Sequence, residues 1–357
     1  MKNIDFPIFK TKLADANQRF DLSDIAERKK YFELKAGPEI AKIKKFLEKN
    51  TFVAYLLGKK NTGKGTYSKL FLEIFGEDHV GHVAIGDIVR DVHEGLSDKK
   101  RRGELIDFLK KNYRGFHTVA ETVQLIEDRD TSSLISSELI VALIKYEISK
   151  RPKKAIFIDG FPREFDQIAL SLYLKELIGY RDDPDFLVFI DVPENVIDER
   201  IKYRVVCPIC KTPRNLRLLA TKEVGHDESA GEFYLICEDP KCKGQRMVAK
   251  EGDKLGIEPI RKRLQVDDLI FKKLLGLQGI PKVYLRNAIP VDKAKESVDD
   301  YEITPAYDYS YDKKTKKVKV LEKPWVIKDD NGVLSHSLMP PPIVVSLIKQ
   351  TVKVLGL

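Results

Sequence analysis

Short apolar runs alternate with longer helix-spaced stretches through the middle of this chain. Thr51 to Leu57 (TFVAYLL) is almost wholly apolar and ends at a glycine, which predicts a strand buried on both faces. Similar runs follow at His82 to Ile85, Ala155 to Ile158 and Phe186 to Ile190 (FLVFI), with Val283 to Leu285 as a fifth candidate. Between them lie helix-like stretches: Tyr67 to Phe75, a mostly helical basic segment from Arg90 to about Lys150, one through Arg200, and one from near Ile257 to Leu277. The strands end in polar turns: Gly86-Asp87, Asp159-Gly160-Phe161-Pro162-Arg163 and Asp191-Val192-Pro193-Glu194. Alternation of this kind predicts an α/β fold with a parallel sheet covered on both faces. Ligands of such sheets sit at the carboxyl ends of the strands, so these turns are expected to converge on one crevice.

The flanks differ from the middle. Residues 1–50 are rich in Lys and Glu and are interrupted at Gly37-Pro38. Ile40, Ile43, Phe46 and Leu47 keep helical spacing between Glu39 and Glu48, so this part is expected to be a helical extension packed on the core. From Cys207 to about Met247 the sequence turns polar and carries Gly and Cys, as a small inserted domain would. Residues 290–340 combine alternating Tyr301, Tyr307, Tyr309 and Tyr311, the basic run KKTKKVKV and an Asn331-Gly332 turn, which predicts a β-rich appendage. Pro340-Pro341-Pro342 is expected to stop it, and an apolar helix from Ile343 to Leu355 to close the chain.

Composition narrows the class. With 357 residues the chain can hold one large domain with insertions or two to three small ones. No apolar run reaches membrane-spanning length, and the N-terminal MKNIDFPIFKTKLAD lacks the apolar core of a secretory signal. The net charge of +8 is spread along the chain, which favours nucleotides over nucleic acid as partners. Four cysteines are too few for a disulfide scaffold at this length, and a reducing cytoplasmic setting is expected.

The densest chemistry lies in Gly58-Lys59-Lys60-Asn61-Thr62-Gly63-Lys64-Gly65-Thr66, between the first strand and the first helix. Backbone N–H groups of such a loop, a helix N-terminus and a mobile lysine together cradle phosphates. Thr66 follows Lys64 only after Gly65, giving the ending GKGT. Taken in order, GKKNTGKGT, VAIGDIVR, LISSELIVALIK, DGFPREFDQ, DVPENVIDERIKYR, CPIC and EPIRKRL resemble the consecutive signatures of the adenylate kinase family, over roughly residues 51–285.

That resemblance implies a P-loop NTPase-type sheet with helices on both faces, a helical monophosphate-binding insertion and a small zinc-bearing lid. Mapped onto this chain, residues 1–50 form the extension, and 51–85, 150–204 and 263–357 the core, with the appendage at about 290–340. Residues 86–149 would be the acceptor insertion and 205–262 the lid. The implied reaction is ATP + AMP ⇌ 2 ADP with magnesium, in a monomer with no membrane partner. Phosphoryl transfer needs in-line phosphates, excluded water and fixed cations rather than covalent chemistry. Gly58, Gly63, Lys64, Gly65 and Thr66 would hold the donor, with Arg200 near its base and Arg204 and Arg263 clamping the transferring group. Ile85, Gly86, Asp87, Arg90, Gly160, Arg163 and Gln167 would form the acceptor site with Arg263, Gln167 reading the adenine edge. Arginine suits these places because its planar fork binds phosphate oxygens in pairs, although a lone arginine is usually a solvated surface charge. Asp159, at the end of a buried strand, is the expected magnesium-holding acid, against the plainer reading of a turn aspartate.

Three departures from the family pattern matter. Lys60 stands where the loop usually has Pro, Asn61 where it has Gly, and Ile85 where adenylate kinases usually carry Thr. The last leaves UMP, CMP or GMP open as acceptors. Cys207 and Cys210, then Cys237 and Cys242, form a C-x2-C and C-x4-C pair suited to a structural zinc, with disulfides or idle thiols as alternatives. After them Asp253 matches a family acid, while Arg246 and Lys250 both remain candidates for the arginine before it. A non-catalytic nucleotide- or nucleic-acid-binding zinc protein is the reading from another class. It leaves the arginine set and Asp159 without a purpose.

Overall fold

The structure is a computed structural model and describes residues 6–14, 18–128, 136–151, 153–162, 174, 176–250 and 252–357. Its centre is a five-stranded parallel sheet built from β1 (Val53–Leu57), β2 (Val80–Ala84), β3 (Ala155–Asp159), β4 (Asp185–Asp191) and β10 (Lys282–Arg286), in the order β10-β4-β1-β3-β2. Alternate residues serve two cores. Ala54, Leu56, Phe157, Val188 and Ile190 face one, while Val53, Tyr55, Leu57, Ile156, Ile158, Leu187 and Phe189 face the other. Burial on both faces is why these strands read as continuous apolar runs.

Helices cover both faces. On the first lie α1 (Ile25–Leu47) and α2 (Lys64–Phe75), joined by the C-terminal helix (Pro340–Leu355). On the second lie α3 (Ile85–Gly95), α4 (Lys99–Asn112), α5 (Val119–Glu127) and α6 (Ser137–Ser149). Their starts are written locally: Asp98 accepts the Lys100 and Arg101 N–H groups, Thr118 and Glu121 form a capping box, and Ser136 accepts from Leu139.

Several expected boundaries move. The second strand ends at Ala84, and Ile85 opens α3, because Ile85, Ile88, Val89 and Val92 make one buried helical stripe. Gly37-Pro38 does not end the first helix. α1 runs through with a kink at Ala36 (φ −150°, ψ 22°), where proline costs a hydrogen bond and crowds the preceding turn. Nor do the three prolines precede the last helix. It starts at Pro340, since the first turn needs no amide donors.

After β4, α7 (Glu194–Lys202) leads into the cysteine-bearing segment. There β5 (Arg204–Val206) lies between β6 (Pro213–Asn215) and β9 (Val248–Ala249), beside the hairpin β7 (Val224–Asp227) and β8 (Glu232–Leu235). Its core is small: Val205, Leu235, Met247 and three of the cysteines. α8 (Arg261–Leu275) returns the chain to the sheet.

The appendage is β-rich as expected. β12 (Pro305–Asp312) pairs with β13 (Lys317–Pro324), and the Asn331-Gly332 turn joins β14 (Ile327–Lys328) to β15 (Leu334–His336), whose other edge pairs with β11 (Ile289–Pro290). It touches two other parts. Tyr311 stacks on His226 at 4.2 Å and Tyr309 packs by Phe233, so β12 braces the β7–β8 hairpin. Below it, buried Glu302 accepts from Thr11 and Tyr31 (2.5 Å each), and Lys35 pairs with Asp299 at 2.7 Å. Extension and appendage therefore fold onto one another.

Candidate phosphate-transfer site

The glycine-bounded loop leaves β1 and turns sharply into α2. Gly58 is required by closeness: a Cβ there would lie 2.7 Å from the Ile190 carbonyl oxygen. Asn61 takes φ 66° and Gly63 φ 95°. Asparagine tolerates that left-handed region better than most residues, so the loop forms without a glycine at that place. Gly63 offers no side-chain cap to α2, and its carbonyl accepts the Thr66 and Tyr67 N–H groups at 2.9 and 3.0 Å.

Lys64 folds back along the loop, donating to the Gly58 and Lys59 carbonyls at 2.9 Å each, with its ammonium 3.8 Å from Asp159 Oδ1. Asp159 ends β3 directly opposite Leu56 of β1, and Gly160 follows with φ 94°. Lys64, Asp159 and Gly160 line a cavity of about 340 Å³ together with Gly58, Lys60, Asn61, Arg263 and Asp267. Of the three polar turns expected to converge, only the one that starts at Asp159 lines this cavity, beside the loop that follows β1. Gly86-Asp87 and Asp191-Val192-Pro193-Glu194 are not in its lining, and α8 brings Arg263 to it.

Other predicted residues lie elsewhere. Arg204 is held in a two-point pair by Asp253 (2.6 and 2.8 Å) and lines a separate cavity of about 520 Å³ with Lys250. Arg246 pairs with Asp227 and stacks over Tyr234, so Lys250 rather than Arg246 sits beside Arg204. Arg200, on α7, neighbours the buried Tyr67 hydroxyl. Arg90 pairs with Asp87 on the exposed side of α3, outside the lining of the loop cavity. Thr66 is exposed in the first turn of α2, with Gly65 before it. Ile85 is 3% exposed, and Gly86 follows it in α3. Arg163 and Gln167 fall outside the described residues.

Sequence reasoning passed over the charges beneath the loop. Lys59 is only 2% exposed at its side chain, and it bridges Glu194 of α7 (2.8 Å) and Asp268 of α8 (3.0 Å). Burial alone would lower its pKa, but the two carboxylates outweigh this and raise it. The available signal was the match of Lys59-Lys60 in the loop to Asp267-Asp268 in the helix. Nothing in a linear reading places those pairs together.

The four cysteines meet as their spacing predicts. Their sulfur atoms all lie within 4.8 Å of one another, and Cys210 Sγ is 3.6 Å from Cys237 Sγ. A tetrahedral zinc with bonds of about 2.3 Å sets its sulfurs about 3.8 Å apart, so the set fits such an ion. The thiols are free rather than disulfide-bonded. Hydrogen bonding with Thr212 pulls Cys210 down to about 6, while burial pushes Cys242 up to about 12. Thiols packed this closely resist shared negative charge, and a divalent cation would relieve that.

No protein-family model matches this chain. Among the described residues no helix is long and apolar enough to cross a membrane. Curated relatives include the adenylate kinase of Thermotoga maritima, 32% identical over 222 residues, spanning 60% of this chain and 80% of the relative. That of Thermotoga petrophila is 30% identical over 218 residues with the same coverage. The adenylate kinase of Clostridium acetobutylicum is 30% identical over 251 residues, 66% of this chain and 97% of its own. Agreement of that extent along 80% or more of each relative, on a parallel sheet whose glycine-bounded loop shares a cavity with Asp159 and Arg263, means that the chain belongs to the adenylate kinase family and is a phosphotransferase with a phosphate group as acceptor.

Proposed function

We propose that this protein catalyses reversible, magnesium-dependent transfer between ATP and AMP to give two ADP. The observation that carries the reading is Lys64, folded into the glycine-bounded loop beside Asp159 in a cavity that Arg263 also lines. In this reading Gly58, Gly63, Gly65 and Thr66 shape the loop around the donor phosphates, and Lys64 turns from its carbonyl partners to the transferring group. Arg263 presents its fork to the same oxygens, as preorganised cations stabilise charge that spreads in the transition state. Asp159 would hold magnesium, and the bound ion neutralises phosphate charge. Arg90, Arg163 and Gln167 take the acceptor, with Asp87 and Gly160 beside them.

Residues 205–262 act as a lid. Arg204 reaches the donor only when this segment swings toward the loop, which also excludes water. Arg200 stays with the donor base. One zinc on Cys207, Cys210, Cys237 and Cys242 would staple the lid, whose apolar core is too small to hold itself, and serves no chemical step. Protein prepared without added metal should carry about one equivalent of zinc. A metal-free protein of unchanged stability would refute the site.

A second reading, wider acceptor use, rests on Ile85, whose buried side chain offers no hydrogen bond to a base. Turnover of ATP against AMP, UMP, CMP and GMP decides between the two. AMP is expected to be best, and equal rates with UMP or CMP would favour the wider range. Lys64→Ala should lower kcat roughly 10²-fold or more. A near-wild-type rate would remove the loop from the mechanism.

A further inference from the structure

α8 carries two adjacent acids that both reach the phosphate loop. Asp268 forms the buried ion pair with Lys59. Asp267, its side chain only 11% exposed, accepts the Lys60 backbone N–H with Oδ2 at 3.1 Å. Its other oxygen, Oδ1, accepts from Arg263 Nε at 3.2 Å, one helical turn earlier. One carboxylate therefore joins the rim of the loop to the arginine that faces the same cavity.

We propose that Asp267 is a positioning residue that aims Arg263 at the phosphates. The argument is geometric. A guanidinium has five N–H donors in a flat fork. Holding it by Nε fixes its plane and leaves both terminal nitrogens to bind phosphate oxygens in a pair. An exposed arginine on a helix would otherwise sample many rotamers, and a side chain about 1 Å out of place can cost 10²-fold in rate. The far end of the tether is equally defined. The Lys60 amide is a rigid backbone point, and Lys59–Asp268 pins the same helix to the same loop beneath it. The loop and the arginine thus move as one body, whatever the cysteine-bearing segment does.

This rests on reading Arg263 as a phosphate clamp, so the test is a double-mutant cycle of Asp267→Ala and Arg263→Ala. It is read on kcat with ATP and AMP, and on the Kd of a bisubstrate analogue joining two adenosines through five phosphates. Asp267→Ala alone should lower kcat roughly 10-fold or more while leaving KM within about 2-fold. In the Arg263→Ala background it should cost almost nothing further, on both readouts. Asp267→Asn keeps one acceptor oxygen, for Arg263 Nε, but sets its NH2 against the Lys60 N–H, so it should recover only part of the rate. Additive losses, or an unaffected Asp267→Ala enzyme, would overturn the proposal. If Asp267→Ala does not fold, Asp267→Glu carries the same cycle. Lys64→Ala run alongside separates the two ideas. Wild-type protein without turnover would sink the kinase reading, and the cycle on analogue affinity would still decide whether Asp267 acts through Arg263.

Discussion

The core of the central sheet is held by apolar side chains, whereas the extension and the appendage are held to each other partly by buried charge. On one face of the sheet, Phe157 and Phe186 pack ring against ring with Phe52, just before β1, and Phe71 of α2, with no polar partner needed. At the other junction Glu302 is fully buried among Thr11, Tyr31 and Lys35, residues more than 260 positions away in sequence. Apolar packing tolerates many substitutions of similar volume, while a buried ionic cluster demands particular partners. The lesson concerns specificity. The sheet core relies on non-directional packing, and the flanking segments are joined by directional bonds that few other pairings could satisfy.

The largest test of that contrast is Phe157→Ala. It should cost about 4 kcal/mol in denaturant unfolding, as other buried aromatic truncations do, with little dependence on pH. Glu302→Ala should cost somewhat less, about 3 kcal/mol, because it strands two hydroxyls and weakens the partnership of Lys35. Its mark is locality. Limited proteolysis should cut the first twenty-odd residues early while the sheet keeps its protection. Early cutting in Phe157→Ala instead, with Glu302→Ala resistant, would reverse the comparison.

Smaller effects sharpen it. Tyr311→Ala removes a stack on His226 and a bond to Glu228, and should loosen the β7–β8 hairpin slightly. Hydrogen exchange should quicken at residues 224–235 with the global midpoint unchanged. The last test is a slope. Burial raises Asp185, at the start of β4, from the ordinary aspartate range to about 6. The folded state therefore binds the proton more tightly than the unfolded one. Stability contributed by this group is greatest below about pH 4 and falls as pH rises through about 6. Asp185→Asn should lack this fall, so the wild type should lose ground to it between pH 4 and 7. A wild type that gains ground would contradict the assignment.

Much of the sheet was legible because parallel strands buried on both faces cannot avoid continuous apolar runs. The loop was legible because its glycines, asparagine and lysine serve local backbone needs that sequence order states directly. Harder to see was what meets the loop from afar. Asp267 and Asp268 look like ordinary solvated acids on a helix, and only the return of α8 to the sheet sets them against Lys59 and Lys60. Arg204 was legible as a motif residue, yet Asp253 takes both arms of its fork away from the loop cavity.

By itself the sequence determined the alternation of strands and helices, the phosphate loop and the pairing of four thiols, since each depends on residues close together in the chain. The tertiary structure alone decided three further things. The flanks clasp each other through Glu302, β12 braces the β7–β8 hairpin, and Asp267 ties Arg263 to the loop. Apart from the i,i+4 contact between Arg263 and Asp267, each of these joins groups far apart in the chain that local spacing does not pair. Their energy depends on distance and burial in space, and neither is written in the order of residues.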